Sequence, residues 1–236
     1  MKQIKRLGIM QPYFLPYIGY FQLINSVDAF VIYDNIQYNK ESWINRNRIL
    51  LNGKEHTFTI PLKEASQNKL INEIEIIRDG KWQGKLLKTI EMSYRKAPFF
   101  DFAFPIIEKV VISDEPLLSR FILNSMLLVN QYLGIDTPLK ESSAIAKDLA
   151  LKGQDRILDI CMKEKASEYI NAIGGMELYS KELFSKNTIR LHFIRSKAIE
   201  YGQFGAEFVP WLSIIDVMMF NDAGRVKKFL NEYELI

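Results

Sequence analysis

The chain has 236 residues, of which 48% are hydrophobic and 25% charged, and its formal net charge is +3. This composition is sufficient to bury the core of one large domain, and it excludes extended disorder. The positive excess is smaller than a nucleic-acid-binding protein usually carries, so we expect no nucleic acid as partner and an anionic small molecule instead.

The cysteine and histidine content limits the expected cellular compartment and the expected kinds of site. Cys161 is the only cysteine of the sequence, so an intramolecular disulfide is excluded and a reducing cytoplasm is the expected location. No apolar run has the length of a transmembrane helix or the pattern of a signal peptide. Two histidines, His56 and His192, both fall in predicted strands, so we expect no metal site.

The first predicted elements are a strand, a loop, a helix and a second strand. Residues 4–10 end in an apolar run and predict the first strand, and Pro12 and Pro16 follow in a loop. Pro16 is expected to open a helix that continues over 17–23, because the missing N–H of proline costs nothing in the first helical turn. The buried-strand pattern of 29–33 then indicates the start of a parallel α/β sheet.

A β-hairpin is predicted next. Residues 48–51 and 56–62 flank Asn52-Gly53, and this dipeptide is typical of tight hairpin turns. Residues 72–78 are expected to form a further strand.

The hydrophobic period becomes helical after the hairpin region. From Lys81 to Gly134 the apolar positions follow helical spacing, with a long apolar helix over 117–133. The later predicted elements are strand 139–142, helix 155–163, strands 169–173 and 188–193, and helices 212–220 and 225–230. This order predicts an α/β fold in one domain of residues 1–236, with a mostly parallel Rossmann-like sheet, a β-hairpin and an inserted helical subdomain at 80–135.

Polar and aromatic side chains follow the first two predicted strands. Gln11 and Tyr13 lie in the loop after the first strand, and Asp34 and Gln37 come after the second. Ligands of open parallel sheets bind outside the carboxyl ends of the strands, so these side chains are candidates for a binding site. Asp34 is placed to act as a general base, and a turn cap is an equal alternative for it.

The densest polar cluster is the run from Trp43 to Arg48. In a strand, Trp43, Asn45 and Asn47 would face one side, and Arg46 and Arg48 would face the other. The planar guanidinium of arginine suits phosphate and carboxylate, so the cluster predicts an anion-binding site. An exposed edge strand protected by charges is the alternative.

One carboxylate stands inside an apolar helix near the end of the chain. Asp216 follows Ser213 at the spacing of a capping box, with aspartate in place of the usual glutamate. A buried carboxylate without a partner is costly, so Asp216 is expected to have one, and an arginine of the Trp43–Arg48 cluster is a candidate.

Four segments of the chain together resemble the WbqC-like protein family. They are MQPYFLPYIGYFQLI from Met10, DAFVIYDNIQY from Asp28, WINRNRI from Trp43 and FVPWLSIIDVMMFND from Phe208. The resemblance covers nearly the whole chain. Met10 stands where many members have a histidine, so this position receives no catalytic role.

The resemblance implies a function in surface-polysaccharide biosynthesis. Members of the family occur in bacterial gene clusters for O-antigen, so the implied protein is a cytoplasmic transferase that acts on a sugar nucleotide without a cofactor. The implied reaction transfers glycine or a similar acyl group to a sugar amine, with Asp34 or Asp216 as general base. Arg46 and Arg48 would hold phosphate or carboxylate. The substrate would be oriented by Gln11, Tyr13, Gln37, Trp43, Asn45 and Asn47.

Two other functions stay open at this point. The order of strand, proline-bearing loop, helix and strand ending in Asp34 resembles the start of nucleotidylyltransferase-type domains. An adenylate-forming enzyme of that kind would use ATP and Mg²⁺. The third hypothesis is a non-catalytic sugar-nucleotide-binding accessory protein, which would bind its ligand without turnover.

Overall fold

A computed structural model describes residues 6–205 and 207–236, and a six-stranded sheet lies at its centre. In chain order the strands are β1 (Arg6–Met10), β2 (Ala29–Ile32), β3 (Arg46–Leu51), β4 (Lys54–Thr59), β5 (Leu62–Lys63), β6 (Glu75–Ile76), β7 (Leu139–Glu141), β8 (Glu168–Ala172), β9 (Arg190–Ser196) and β10 (Tyr233–Leu235).

The helices pack on both faces of this sheet. In chain order they are α1 (Ile18–Asn25), α2 (Lys81–Tyr94), α3 (Phe100–Val111), α4 (Leu118–Leu133), α5 (Gly153–Lys163), α6 (Lys181–Lys186), α7 (Ile214–Phe220) and α8 (Ala223–Phe229). Short 3-10 turns cover 71–73, 142–144 and 173–178.

The strand order of the central sheet is β10-β9-β8-β1-β2-β7. Neighbouring strands are parallel except β10, which runs antiparallel to β9 at the edge. From β1 the chain first adds β2 and β7 on one side of the sheet, and it then adds β8, β9 and β10 on the other side. The direction in which strands are added therefore changes between β1 and β8. In open α/β sheets a crevice forms outside the carboxyl ends of the strands at such a reversal.

The sheet separates two hydrophobic clusters. Side chains of β1 alternate, so Leu7 and Ile9 face one cluster with α5 and α6, where Cys161 is also buried. The other cluster contains the buried faces of α1, α4 and α7. Gly8 of β1 lies directly against the Phe30 ring of β2 on that second face, because a Cβ there would be 2.8 Å from Phe30 Cδ2.

The predicted fold class is confirmed, with differences at the element ends. The first strand is confirmed over its described residues, and residues 4 and 5 of the prediction lie outside them. Pro16 does not open α1, because the helix begins two residues later and Tyr17 is its N-cap. The strand predicted at 72–78 is reduced to β6, since 71–73 forms a 3-10 turn. Two short elements, α6 and β10, were not predicted.

The predicted hairpin is confirmed. Strands β3 and β4 pair antiparallel, and both turn residues take positive φ, 52° at Asn52 and 74° at Gly53. Glycine and asparagine tolerate that left-handed conformation, which explains why this dipeptide stands between the strands.

The helical residues between β2 and β7 form α2, α3 and α4. Leu86, Ile90 and Tyr94 of α2 are buried, and their spacing of four residues places them on one face of the helix. These side chains join the same hydrophobic cluster that covers one face of the sheet. The helical block therefore packs against β3 and α7, and it lies on the face of the central sheet opposite α5.

Candidate functional site

The loop after β1 is held in place by an asparagine of β3. Asn47 Nδ2 donates to the carbonyl oxygens of Phe14 and Leu15, at 3.1 and 2.9 Å. Leu15 has a φ of 43°, a conformation that costs energy in a residue with a side chain. The Tyr20 hydroxyl also donates to the carbonyl of Gln11, at 2.8 Å. These bonds fix the loop that carries Tyr13.

The two asparagines of the predicted cluster face inward. Asn45 Nδ2 donates to the Ile60 carbonyl at 2.8 Å, and its Oδ1 accepts from the Tyr38 hydroxyl at 2.9 Å. Asn45 and Asn47 are both buried, whereas Arg46 and Arg48 are partly exposed, so the predicted alternation is right for these four. Both amides position backbone segments, and Asn47 also lines the cleft described below.

Trp43 lies on the opposite side from the prediction. Strand β3 begins only at Arg46, so strand alternation does not apply to Trp43. The indole is 40% exposed and lies 5.4 Å from the Arg46 guanidinium and 5.2 Å from that of Arg48. Cation–π contacts of this kind hold the ring with the arginines.

Aromatic rings form a cleft beside this cluster. A cavity of about 200 Å³ is lined by Tyr13, Pro16, Tyr17, Trp43, Asn47, Arg48 and Trp211. An adjoining cavity of about 560 Å³ shares Tyr17 and Trp211, whose ring centroids are 5.8 Å apart, and extends to Ser196, Lys197 and Tyr201. We call the two cavities together the aromatic cleft. Their combined size is that of a typical small-molecule site.

Trp211 and Tyr17 line the cleft but were not among the predicted site residues. Trp211 has a φ of 59° and its side chain is 55% exposed. A large residue in this backbone conformation is strained, and such strain is concentrated at binding sites. The available signal was the Pro210-Trp211 pair inside the segment that carries the family resemblance.

Three hydrogen bonds fasten the Trp211 segment to the rest of the cleft. Ser213 N–H donates to the Arg48 carbonyl at 2.8 Å, and Ser213 Oγ donates to the Leu15 carbonyl at 2.6 Å. Ile214 N–H donates to the Pro16 carbonyl at 2.8 Å. The loop after β1, strand β3 and the start of α7 therefore meet at one point.

The two arginines differ in what their guanidiniums contact. Arg46 donates to the backbone carbonyls of Ser42 and Glu41 and does not line the cleft. Arg48 lines it, donates to Glu55 at 2.7 Å, and reaches the Trp211 carbonyl at 3.5 Å. A guanidinium has five N–H donors, so Arg48 keeps donors for an anionic ligand.

The tyrosine hydroxyls of the cleft stay protonated at neutral pH. Burial raises the pKa of Tyr13 and of Tyr17, in Tyr17 against the opposing effect of a hydrogen bond with Ser196. Gln11 lies next to Tyr13, whose hydroxyl is 3.5 Å from Gln11 Oε1. These groups can exchange hydrogen bonds with sugar hydroxyls, but they are not bases.

Asp34, proposed from the sequence as a general base, lies outside the aromatic cleft. Its carboxylate is fully buried and accepts from Ser143 N–H at 2.9 Å, Ser143 Oγ at 2.6 Å and Ser142 Oγ at 3.0 Å. Asn72 Nδ2 is a fourth donor, at 3.3 Å. The carboxylate thus joins the end of β2 to the end of β7 and to the 71–73 turn, which gives it a positioning role.

Asp216 has the partners that burial requires, and none is an arginine. Its carboxylate accepts from Tyr94 at 2.8 Å, from Tyr201 at 2.7 Å and from Gln203 Nε2 at 2.8 Å. Ser213 does cap α7, but through the N–H of Ile215. Asp216 therefore fastens the segment that carries Tyr201, a wall of the aromatic cleft.

Burial raises the pKa of Asp216 above its ordinary value of 3.8, against the opposing effect of its three donors. A carboxyl with a raised pKa in the native state contributes stability that is complete below 3.8 and is lost as pH rises through the raised pKa. The side chain of Asp216→Asn does not titrate. We therefore expect the difference in unfolding free energy, wild type minus variant, to be largest in acid and to fall toward neutral pH, by about 1.4 kcal/mol per pKa unit.

Urea unfolding of both proteins over a series of pH values measures this difference. All other titrating groups are shared, so they cancel in the subtraction. A difference that grows as pH rises would show that the hydrogen bonds of Asp216 outweigh its burial.

Gln37 is separated from the other candidates. It is exposed, forms an isolated β-bridge with Leu70, and lines a different cleft near the end of β2. Of the predicted binding residues, the structure brings five together at the aromatic cleft, counting Gln11 as a neighbour of Tyr13: Gln11, Tyr13, Trp43, Asn47 and Arg48.

Comparisons with known proteins agree with the sequence signature. The WbqC-like protein family matches residues 11–228. An uncharacterized protein of Mycobacterium tuberculosis, Rv1507c, is 30% identical over 233 residues, which cover 96% of this chain and 98% of the relative. No solved structure matches the chain. Among the described residues, no helix has the length and apolar character needed to cross a membrane. The matched span includes the loop after β1, strand β3 and α7, and the chain therefore belongs to the WbqC-like protein family.

Proposed function

We propose that the protein is a transferase that binds a sugar nucleotide in the aromatic cleft and acts in the biosynthesis of bacterial surface polysaccharide. The observation that carries the proposal is the combination of Trp43, Trp211 and Tyr17 with Arg48 around one cleft. Rings stack on a base or a sugar, and a guanidinium binds phosphate oxygens. A sugar nucleotide presents both chemistries in one molecule.

The two parts of the cleft suit different parts of such a ligand. The smaller cavity, with four aromatic residues and Arg48, suits a ring with an adjoining phosphate. The larger cavity is lined by Ser196, Lys197 and Tyr201 together with Glu200 and Glu207, a mixed lining that suits the hydroxyls and the amine of an amino sugar. Together they accept a molecule longer than either cavity alone.

The proposed reaction forms an amide between an acyl group and a sugar amine. The amine nitrogen attacks the acyl carbonyl, the leaving group departs with the electron pair, and the amine proton passes to a base. Of the two predicted carboxylates, Asp216 is linked to the cleft through one side chain, because the Tyr201 hydroxyl that donates to it belongs to a lining residue. Asp34 has no such contact, so we assign proton transfer to Asp216 with Tyr201.

The test is calorimetric titration of the wild-type protein with UDP- and dTDP-linked amino sugars. Arg48→Ala is expected to weaken binding by about tenfold or more, because a charge-assisted hydrogen bond to phosphate is lost. Arg46→Ala is the matched control. It removes the same charge from the same strand and contacts Trp43 as well, but it does not line the cleft, so affinity should change by less than about threefold.

Two outcomes would overturn the proposal. The first is undiminished affinity of Arg48→Ala, and the second is the absence of binding by any sugar nucleotide. Titration with ATP and Mg²⁺ in the same assay distinguishes the adenylate-forming alternative, since an enzyme of that class would bind ATP and release pyrophosphate.

A further inference from the structure

A second cleft lies at the carboxyl ends of β2 and β8, away from the aromatic cleft. Its volume is about 590 Å³, and no residue lines both clefts. Tyr33 directly follows β2, and Tyr179 follows the 3-10 turn after β8. We call it the carboxyl-edge cleft. Its polar lining consists of Tyr33, Gln37, Lys152, Gln154, Arg156 and Tyr179.

The charged residues that line this cleft are all positive. Lys152 and Arg156 are its ionised residues, and no aspartate or glutamate lines it. Among the described residues neither cation forms a salt bridge. Two positive charges without a neutralising carboxylate attract an anion.

The Arg156 guanidinium is fixed before any ligand arrives. Its Nε donates to the Leu151 carbonyl at 2.6 Å, and one terminal nitrogen donates to the Leu149 carbonyl at 2.8 Å. Donors remain on the guanidinium for a ligand, and a side chain that is already ordered loses little entropy on binding. Arg156 therefore provides an ordered guanidinium for an anion, and the exposed Lys152 adds a second positive charge.

The remaining side chains suit a polar ring. Tyr33 and Tyr179 are both partly buried, and burial raises the pKa of each, so their hydroxyls stay neutral. Gln37 and Gln154 add amides that donate and accept hydrogen bonds. Ile36 and Leu70 provide an apolar wall.

We propose that the carboxyl-edge cleft binds a phosphate monoester of a polar ring, with the phosphate on Arg156 and Lys152 and the ring between Tyr33 and Tyr179. A sugar phosphate and a nucleoside monophosphate share this chemistry. The proposal stands independently of the function of the aromatic cleft, because the two sites have no residue in common.

The experiment is calorimetric titration of the full chain with glucose 1-phosphate, with AMP and with inorganic phosphate. We expect one of the two esters to bind more tightly than inorganic phosphate, and the preferred ester identifies the ring. Lys152→Ala should weaken that binding by about threefold to tenfold, and Arg156→Gln by about tenfold or more. Lys152 has no partner among the described residues, so its replacement leaves the fold intact even if Arg156→Gln does not.

Two control variants separate this site from general charge and from the other cleft. Lys163→Ala removes the same charge from the opposite end of α5 and should leave affinity unchanged. Arg48→Ala, in the aromatic cleft, should also leave it unchanged. The proposal is overturned if inorganic phosphate binds as tightly as both esters, if Lys152→Ala and Lys163→Ala have equal effects, or if Arg48→Ala abolishes ester binding.

Discussion

Replacing Asp34 with alanine is expected to lower the free energy of unfolding by about 3–5 kcal/mol. The carboxylate is fully buried and accepts four hydrogen bonds, two of them from Ser143. Removing it takes the acceptor away from Ser143 and Asn72, and it leaves the buried Ser142 hydroxyl with Asn35 Oδ1 as its remaining acceptor. Each hydrogen bond to a charged group contributes about 1.5–3 kcal/mol, and the contributions of neighbours do not add fully.

Urea unfolding followed by circular dichroism measures the loss. Ser143→Ala is the graded control, because it removes one hydroxyl donor and keeps the backbone N–H that also contacts Asp34. We expect it to cost about 1–2 kcal/mol. If Asp34→Ala kept nearly the full stability and lost all turnover, the catalytic role predicted from the sequence would be restored and the positioning role would be wrong.

The second large effect is expected from Gly8→Ala, which should destabilise the fold by about 2–3 kcal/mol. A Cβ at Gly8 would lie 2.8 Å from Cδ2 and 3.2 Å from Cε2 of Phe30. The Phe30 ring is fully buried and packs against Tyr20, with ring centroids 5.5 Å apart, so it has little room to move. The Tyr20 hydroxyl donates to the Gln11 carbonyl, so a shift of Tyr20 would also displace the loop that carries Tyr13.

Gly84→Ala is the matched control for this substitution. Gly84 lies inside α2, and a Cβ there would have no neighbour within 4 Å. Alanine favours a helix over glycine by about 1 kcal/mol, so the same substitution should here stabilise the protein. Thermal and urea unfolding of both variants should give opposite signs. A loss at Gly84 equal to that at Gly8 would show that packing against Phe30 is not the cause.

Patterns between neighbours in sequence predicted much of the fold. Asn52-Gly53 located the hairpin, and the alternation after Asn45 separated buried amides from outward guanidiniums. Both rest on local backbone geometry, so a single segment contains all the information they need. Trp43 shows the limit of such patterns, because the strand it was assigned to begins three residues later.

Contacts between distant segments could not be predicted in this way. Asp216 was expected to need a partner because burial of a lone carboxylate is costly, but nothing local indicated that Tyr94, 122 positions earlier, would supply it. Trp211 reaches the cleft through the bond of Ser213 to Leu15, across 198 positions. The same applies to Asp34, whose serine donors come 108 and 109 positions later.

The meeting of two distant segments of the chain at Ser213 has a consequence for biosynthesis. Arg48 leaves the ribosome well before Trp211, which lies 163 positions later in the chain, and Tyr13 leaves earlier still. A nascent chain that lacks Trp211 has only one wall of the aromatic cleft and lacks the bonds from Ser213 that hold the loop after β1. Ligand that needs both walls of this cleft is therefore bound only after Trp211 has been synthesised, and it stabilises the folded protein against unfolding by mass action.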